Sequence, residues 1–348
     1  MTKKFALAAA LAAVLAAVIA MAGGCAANNS WQQVTGAVWG TTYTLKWQGR
    51  PELADSAIAQ MRQVELALSM FDPASNISRI NRGETDTLSP MGARVFSLAR
   101  RVSLASGGAY DPTVAPLVDL WGFGRDKSAR TADTAPDSAA IAAALARVGM
   151  AQCGLDSVTL TVSRKHPQTQ FDFSSIAKGF GVDCVAAALK RNGVENFMVE
   201  IGGEMSLAGH SPAGRDWNIQ IDGPDSGRDG HSALEVLPLT DCAVATSGNY
   251  RNFRTLADGT RATHTLDPRT GRPVATNTLT VTVIAPDCAL ADALATACMA
   301  MPAADAVRML KAMPGVRAHI TTTAREPLLV RWPAHESVSK FWYTLFFL

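Results

Sequence analysis

The sequence carries little net charge and lacks the short motifs that identify many functions directly. Lys and Arg number 32 against 30 Asp and Glu, which gives a formal net charge of +2, and no basic run is interleaved with aromatic residues. These features give no support to nucleic acid as a partner. No G-x-G-x-x-G follows a predicted strand, which argues against a nicotinamide dehydrogenase. No repeat and no low-complexity linker divides the chain.

The cysteines also lack a pattern, because none of them has metal-ligand spacing such as C-x-x-C. Cys184 and Cys298 lie among apolar residues on predicted helix faces, so buried free thiols are the expectation. One disulfide remains an alternative if the compartment is oxidising. Beyond the N-terminal Cys25, the cysteines are Cys153, Cys184, Cys242, Cys288 and Cys298.

What is present is a long chain with an ordinary globular composition. Its 348 residues, 48% of them hydrophobic, can bury a substantial core. The length allows one large domain or two small ones. Predicted strand pairs and helices alternate without a regular βαβ rhythm, which favours an α+β fold over a doubly wound α/β fold.

The N-terminus predicts an export signal over residues 1–24, ending before Cys25. Lys3 and Lys4 precede an unbroken apolar run, and small residues lead into Cys25 as in the lipobox of bacterial lipoproteins. The run is also long enough for an uncleaved membrane anchor. Both interpretations place the folded part outside the cytoplasm, tethered to a membrane. We assign residues 25–33 to a tether and 34–348 to the folded domain.

The central stretch from Phe171 to Asp183 is where we place the chemistry. A strand over residues 170–173 is predicted to run into a helix capped by Ser174 or Ser175. Asp172, Ser175 and Lys178 then converge on the helix N-terminus, an end that favours phosphate. This combination suits a nucleotide pyrophosphate with a metal ion. The alternative, ordinary capping residues and a solvated lysine, has about equal weight on this stretch alone.

A later helix, predicted to be capped at Pro286-Asp287, carries a second polar pair. Asp292 and Thr296 are four residues apart, so they share one helix face among alanines. Their hard oxygen atoms suit Mg²⁺, which keeps waters and accepts phosphate oxygens. The alternative is an Asp that only complements the helix dipole, with a neutral Thr beside it.

Other stretches add candidates of lower specificity. Gly107-Gly108 precedes Ala109-Tyr110-Asp111, which could pass close to a ligand or simply end a helix. Phe71 stands beside a turn as either an exposed stacking ring or, more commonly, a core residue. Residues 34–47 alternate like one strand. The apolar residues 341–348 are too short to span a bilayer, and a last strand is one interpretation.

Taken together, these stretches resemble the ApbE family of FAD:protein FMN transferases. The resemblance covers about residues 34 to 317 and depends on the order of several motifs. These are Leu68-Ser69-Met70-Phe71 with Ser78-Arg79-Ile80-Asn81, Gly108 to Val114, Asp172 to Gly179, Glu200-Ile201-Gly202-Gly203-Glu204, Thr246-Ser247-Gly248, His264 to Pro273, and Ala291 to Thr296.

The resemblance implies a T-fold-related arrangement of mixed sheets and packed helices, forming one catalytic unit. It implies transfer of FMN from FAD, with Mg²⁺, to a Ser or Thr hydroxyl of a target protein and release of AMP. The metal ligands would be Ser175, Asp292 and Thr296, and His264 would be the base, with Asp292 also catalytic. FAD contacts would come from Trp39, Phe71, Ala109, Tyr110, Asp111, Asp172, Lys178 and Thr265.

The family's frequent Met-Gly-Thr on the first strand is Trp39-Gly40-Thr41 here, where the indole would cover the adenine or the flavin. The implied partner is an exported flavin-acceptor domain of a membrane redox complex. The implied location is the periplasmic face of a bacterial envelope, with the inner membrane favoured although Ala26 leaves the outer membrane open.

Two other functions fit the same residues. An FAD pyrophosphatase would use water as the nucleophile, and a flavin-binding lipoprotein would keep the fold without turnover. The intact set Asp172, Ser175, Lys178, His264, Asp292 and Thr296 argues against lost turnover.

Overall fold

The computed structural model describes residues 30–124, 134–223, 233–249, 253–324 and 326–330. Its helices are α1 (Leu53–Leu68), α2 (Asn76–Asn81), α3 (Pro90–Ala105), α4 (Ala115–Leu120), α5 (Ser138–Leu145), α6 (Ser174–Arg191), α7 (Cys288–Met299) and α8 (Ala303–Lys311), with a 3₁₀ turn at Met150–Gln152. None of these helices is long and apolar enough to cross a membrane.

The strands are β1 (Trp31–Val38), β2 (Thr41–Gln48), β3 (Cys153–Leu155), β4 (Val162–Arg164), β5 (Phe197–Ile201), β6 (Glu204–Ala208), β7 (Trp217–Asp222), β8 (Ala233–Leu239), β9 (Cys242–Gly248), β10 (Phe253–Thr255), β11 (Arg261–Thr263), β12 (Leu266–Asp267), β13 (Arg272–Pro273), β14 (Thr278–Ala285), β15 (Arg317–Thr322) and β16 (Leu328–Val330).

An antiparallel sheet of eight strands organises the fold, in the order β1-β2-β5-β6-β9-β14-β15-β16. The remaining strands form two-stranded hairpins: β3-β4, β7-β8, β10-β11 and β12-β13. Helices packed on an antiparallel sheet confirm the predicted α+β class.

The two faces of the sheet have different partners because successive side chains alternate. One face, which includes Leu45, Val199 and Val283, is buried in the two largest apolar clusters with residues of α1, α6 and α7. The other face carries Thr44 opposite Glu200 and Thr246 opposite Thr282, and these side chains line a cleft. This polar face therefore forms one wall of the cleft.

The first strand was predicted as a single run over residues 34–47, which is wrong. The chain reverses at Trp39 and Gly40, which both have positive φ (51° and 76°), and β1 pairs with β2 as a hairpin. Gly adopts this conformation at little cost, and Gly40 was the signal for the turn. β1 begins at Trp31, so the last three residues of the proposed tether belong to the sheet.

The strand predicted at residues 170–173 is also absent from the structure. Phe171 and Phe173 are fully buried, which explains the alternation, but the backbone of Phe171 is held by the Asn81 side chain. Asn81 Nδ2 donates to Phe171 O at 2.8 Å, and Phe171 N donates to Asn81 Oδ1 at 2.8 Å. An amide side chain thus replaces a neighbouring strand.

Both predicted helix caps need correction. Phe173, not Ser174 or Ser175, is at the N-cap of α6, and the Ser174 N–H is satisfied by Asp172 Oδ1 at 2.8 Å. Asp287 is at the N-cap of α7, but its side chain makes no capping bond. That role is taken by Asp183 of α6, through a contact between helices that local patterns do not encode.

Val158 lies in a turn with 89% of its surface exposed, and the strand that follows it begins at Val162. The five described cysteines are free thiols, as expected. The predicted signal, Cys25 and the apolar C-terminus lie outside the described residues.

Candidate active site

A cleft of about 1160 Å³ lies between the polar face of the sheet and the N-terminal end of α6. Residues from distant parts of the chain line it. The predicted site residues that line it are Phe71, Ala109, Tyr110, Asp111, Asp172, Ser175, Lys178, His264, Thr265, Asp292 and Thr296. Trp39 is the predicted site residue that does not line it.

At one end of the cleft lies a group of three charged side chains, Lys178, Glu204 and Asp292, which we call the polar junction. Lys178 Nζ is 2.6 Å from Glu204 Oε1 and 4.0 Å from Asp292 Oδ1. The backbone N–H of Gly179 donates to Asp292 Oδ2 at 3.1 Å. The side chains of Glu204 and Asp292 are both only 4% exposed, while Lys178 is 33% exposed on the cleft side.

Burial and neighbouring charge together set the protonation of this junction. Burial alone would lower the pKa of Lys178, but Asp292 and Glu204 outweigh it and raise that pKa above its ordinary value. Burial raises the pKa of Glu204, with Asp292 acting in the same direction and Lys178 opposing it. Lys178 therefore remains a cation at neutral pH and presents positive charge to the cleft.

The loop after α3 and the start of α6 meet beside the junction. Ser175 Oγ donates to the Tyr110 hydroxyl at 3.2 Å. Burial raises the pKa of Tyr110, so its phenol stays protonated. Asp172, 8% exposed, uses Oδ1 to accept the Ser174 N–H at 2.8 Å.

Asp111 lies in the cleft wall, but its carboxylate holds the loop together. Its Oδ1 accepts the N–H of Thr113 at 2.8 Å and the Thr113 hydroxyl at 2.5 Å. Its Oδ2 accepts the N–H of Met150 at 2.8 Å. The geometry therefore assigns Asp111 a positioning role in this loop, and contact with FAD stays a prediction.

The proposed metal ligands are one carboxylate and two hydroxyls on the cleft wall. Asp292 and Thr296 share a face of α7, and Thr296 Oγ1 is 3.4 Å from Ser247 Oγ of β9. Ser175 faces them from α6 across the same cleft. In the described part of the chain, no three His, Cys, Asp or Glu side chains are grouped to hold a metal. A metal held by Asp292 would thus also depend on hydroxyl, phosphate and water oxygens.

An unsatisfied oxygen nearby supports a cation. Glu204 Oε2 is buried without a hydrogen-bond partner, although Glu204 Oε1 pairs with Lys178. A buried oxygen in this state is costly unless a donor or a cation approaches it. Mg²⁺ prefers hard oxygen ligands and retains water, so the donor set fits Mg²⁺.

Phe71 lies at the open end of the cleft and is 64% exposed. The turn after α1 holds it there, because Ser69 Oγ accepts the N–H groups of Phe71 and Asp72 at 3.2 and 3.1 Å. The alternative of a core residue is wrong. A large ring exposed at a cleft is suited to stacking on a planar ligand.

His264 and Thr265 reach the cleft from the opposite wall, between β11 and β12. Thr265 Oγ1 donates to Asn249 Oδ1 at 2.7 Å, and the His264 ring meets Phe123 edge-on with centroids 6.4 Å apart. A separate group of buried apolar residues, which we call the cap cluster, supports this wall. Its members are Leu117, Trp121, Ile141, Ala144, Leu256, Ala262 and Leu266.

Trp39 contacts the helical core instead of the cleft. A Cβ on Gly181 of α6 would overlap the Trp39 ring, so the indole packs directly on a helix backbone. It also contacts both large apolar clusters. Its contact with adenine or flavin stays a prediction without support from this geometry.

Sequence reasoning missed Glu204, Asp183 and Ser247. Glu204 belongs to the Glu-Ile-Gly-Gly-Glu motif, but no role was predicted for it. The signal in the sequence was an acidic residue at the start of an apolar strand. Asp183 lies within the central stretch, one turn after Gly179. No local pattern singles out Ser247 as a site residue, because the contact that places it in the site is with Thr296, 49 residues later.

Comparison with known proteins gives one consistent result. A model of the ApbE family matches residues 39–320. The chain is 38% identical over 287 residues to the FAD:protein FMN transferase of Vibrio cholerae serotype O1, covering 80% of this chain and 84% of that protein. It is 35% identical to the enzyme of the same name from Haemophilus influenzae, covering 76% and 78%.

Solved structures agree. The flavin transferase ApbE from Vibrio cholerae superposes with a TM-score of 0.76 at 33% identity, covering 86% of this chain and 97% of that one. The apo flavinyl transferase ApbE of Pseudomonas stutzeri gives a TM-score of 0.74 at 30% identity, covering 86% and 93%. The similarity therefore extends over the whole cleft-bearing unit.

Proposed function

Because the chain belongs to the ApbE family, we propose that it is a flavin transferase that moves the FMN part of FAD onto a protein hydroxyl and releases AMP. The observation that carries this proposal is the cleft itself. Its polar junction places a partly buried ammonium, Lys178, beside two carboxylates, while an exposed aromatic ring and a histidine also line the cleft. Charge at one end suits a pyrophosphate, and the ring suits an isoalloxazine.

The chain's own groups account for binding and orientation of the donor. Lys178 supplies positive charge for the phosphates, and Ser175 lies at the first turn of α6, where backbone N–H groups also favour phosphate. Glu204 holds Lys178 Nζ at 2.6 Å, which fixes the direction of the ammonium. Phe71 would lie against the flavin ring at the mouth of the cleft.

Asp292, Thr296 and Ser175 would hold Mg²⁺, with phosphate and water oxygens completing its shell. When bound, the ion would neutralise charge on the pyrophosphate. His264 would accept the proton of the acceptor hydroxyl on an imidazole nitrogen, since imidazole takes up protons near neutral pH. The hydroxyl oxygen bonds to the phosphorus on the FMN side, and the bond from that phosphorus to the AMP oxygen breaks.

The acceptor class follows from the same chemistry. Phe71 is exposed and His264 is half-buried, so a Ser or Thr hydroxyl on an exposed segment of another protein would have access to this part of the cleft lining. We expect an exported domain of a membrane redox complex as acceptor, and a membrane-tethered location outside the cytoplasm for this chain. Residues 1–25 support the location. Labelling of cells with a radioactive fatty acid tests the lipid anchor: label on the unaltered chain that is absent from Cys25→Ser is expected, and an unaltered chain without label would contradict lipid anchoring.

The function is tested by incubating the full chain with FAD, Mg²⁺ and a candidate acceptor domain, while AMP and the acceptor's mass are followed. A mass gain equal to FMN together with AMP is expected, and EDTA should abolish both. AMP without any labelled acceptor, across a panel of acceptor domains, would favour an FAD pyrophosphatase. Bound FAD without any AMP would contradict an enzyme.

A further inference from the structure

The helices α6 and α7 approach each other closely beneath the cleft. A Cβ on Gly179 would overlap the carbonyl group of Cys288, lying 2.6 Å from its carbon, and would be 2.9 Å from Ala289 Cα. Only a residue without a side chain permits this backbone contact. The two helices that carry Lys178 and Asp292 are therefore in contact at their backbones, and small displacements of either one change the site.

Hydrogen bonds in both directions fix this crossing. The Gly179 N–H of α6 donates to the Asp292 carboxylate of α7 at 3.1 Å. In return, the Asp183 carboxylate of α6 accepts the first two N–H groups of α7, from Cys288 at 2.8 Å and Ala289 at 2.9 Å. Gly179 and Asp183 are one helical turn apart, as are Cys288 and Asp292. The bonds thus set both the height and the rotation of α7.

Asp183 does what the local sequence would assign to Asp287. Asp287 is at the N-cap of α7 but makes no capping bond, so the exposed N–H groups of α7 are satisfied from another helix. A cap from within the helix would stabilise α7 without fixing its position against α6. A cap from Asp183 does both.

We propose that Asp183 is a positioning residue for the metal site, acting through the N-terminus of α7 on Asp292 and Thr296. This inference depends on the proposed function, since it assumes that Asp292 and Thr296 hold Mg²⁺. Asp183 lies on α6 one turn beyond Lys178 and Gly179, so one helix positions both the phosphate-binding cation and the metal-binding carboxylate. Groups that hydrogen-bond directly to metal ligands commonly change metal affinity by about 10-fold to 100-fold, and Asp183 acts one step further out, so we expect an effect at the lower end of that range.

The Asp183 carboxylate occupies a low-dielectric position between the helices. Burial and the nearby Asp287 raise the pKa of Asp183 to about 7, while the two N–H donors and Lys190 act against the shift. Measurements belong at pH 8.5, where the carboxylate is ionised. Hydrogen bonds from N–H groups to such a carboxylate are stronger than between neutral partners.

The test measures metal affinity and does not depend on turnover. Mn²⁺ is titrated into the full chain holding FAD, with no acceptor present, and free Mn²⁺ is followed by electron paramagnetic resonance. Asp183→Asn keeps the side-chain shape but replaces one acceptor oxygen with a donor that faces an N–H group. We expect its Mn²⁺ affinity to fall about 10-fold or more. Asp287→Asn, the matched control on the adjacent carboxylate, should stay within about twofold.

Kinetics distinguish positioning from general damage to the fold. In Asp183→Asn the KM for Mg²⁺ should rise while kcat recovers at saturating Mg²⁺, since the ligands themselves are intact. Asp183→Glu keeps the charge with a longer side chain and should give a smaller loss of affinity. If Asp183→Asn does not fold, Asp183→Glu decides by its affinity alone, with a loss of about threefold or more expected.

Unchanged Mn²⁺ affinity in a folded Asp183 variant would overturn the inference and leave the proposed function standing. Failure of the unaltered chain to bind Mn²⁺ or to release AMP would overturn the proposed function and this inference with it. A loss of affinity of equal size in Asp287→Asn would also overturn the inference, because the effect would then be general to the charge at this end of α7.

Discussion

The polar junction and the wall that carries His264 face the same cleft but are built differently. The junction lies between two long helices and the main sheet, and two of its three side chains are almost fully buried. His264 lies on a link between short strands, half-buried, above the smaller cap cluster. The charged side chains of the junction are therefore held in position before any ligand binds. The imidazole of His264, which would take a proton, stays accessible to an incoming hydroxyl.

This difference predicts a division of labour. Changes at the polar junction should weaken both donor binding and turnover, because the phosphates and the metal depend on it in every state. Changes on the His264 wall should affect turnover with little effect on FAD binding. Single substitutions in each region test this division.

The largest effect is expected from Asp292→Asn. The change removes a charge that Lys178 and the Gly179 N–H partly balance, and it removes the only carboxylate among the proposed metal ligands. Loss of metal-based charge stabilisation of several kcal/mol corresponds to a fall in AMP release of about 10³-fold or more. Asp305→Asn, on the exposed face of α8, is the control and should retain full activity. A variant that keeps normal Mg²⁺-dependent turnover would remove the junction from the mechanism.

His264→Gln should give the next largest effect and a different signature. Loss of a general base typically costs about 10² to 10⁴-fold in rate, and we expect at least the lower value here. FAD affinity, measured by quenching of flavin fluorescence, should change by less than about threefold. The control is His210→Gln, because His210 is exposed and does not line the cleft. Weakened FAD binding equal to the loss of rate would contradict the division between the two walls.

Glu204→Gln tests whether the junction is fixed in advance. The variant keeps the size of the side chain and an acceptor oxygen, but it removes the carboxylate charge that now lies 2.6 Å from Lys178 Nζ. We expect FAD affinity to fall roughly 10-fold, and the free energy of unfolding to drop by about 1–3 kcal/mol, because a buried hydrogen bond between charged groups becomes one to a neutral amide. Glu195→Gln, an exposed acid, is the matched control for both measurements. Unchanged FAD affinity would show that Lys178 needs no help to point into the cleft.

The same contrast explains what could be predicted from the sequence. Lys178, Asp292 and Thr296 were found because helical spacing is local, and a helix face follows from residues three or four apart. The pairing of Lys178 with Glu204 and the capping of α7 by Asp183 were missed, because they join segments 26 or more residues apart. The hairpin at Trp39-Gly40 could have been found from its glycine. The Asn81 bonds that replaced the strand at residues 170–173 span 90 residues and leave no local pattern.

The roles of His264 and Phe71 illustrate the same limit. A histidine before a turn is ordinary in isolation, and only the resemblance to a family singled it out. Phe71 was judged more typical of a core residue, since most lone Phe side chains are buried. The Ser69 hydroxyl, which accepts two backbone N–H groups, holds it in the open instead. These bonds are local, so a serine two residues before Phe71 was the signal that the sequence offered for this turn.

Phe71→Ala should have the smallest effect of these substitutions. The ring is 64% exposed, so removing it should change the free energy of unfolding by no more than about 0.5 kcal/mol. Aromatic stacking is worth about 0.5–1.5 kcal/mol, so KM for FAD should rise by up to about tenfold while kcat changes little. Phe71→Tyr keeps the ring and should restore KM. If KM for FAD stays normal in Phe71→Ala, the ring does not contact the flavin, and its exposure must serve the acceptor instead. KM for the acceptor domain, measured in parallel, separates these two roles.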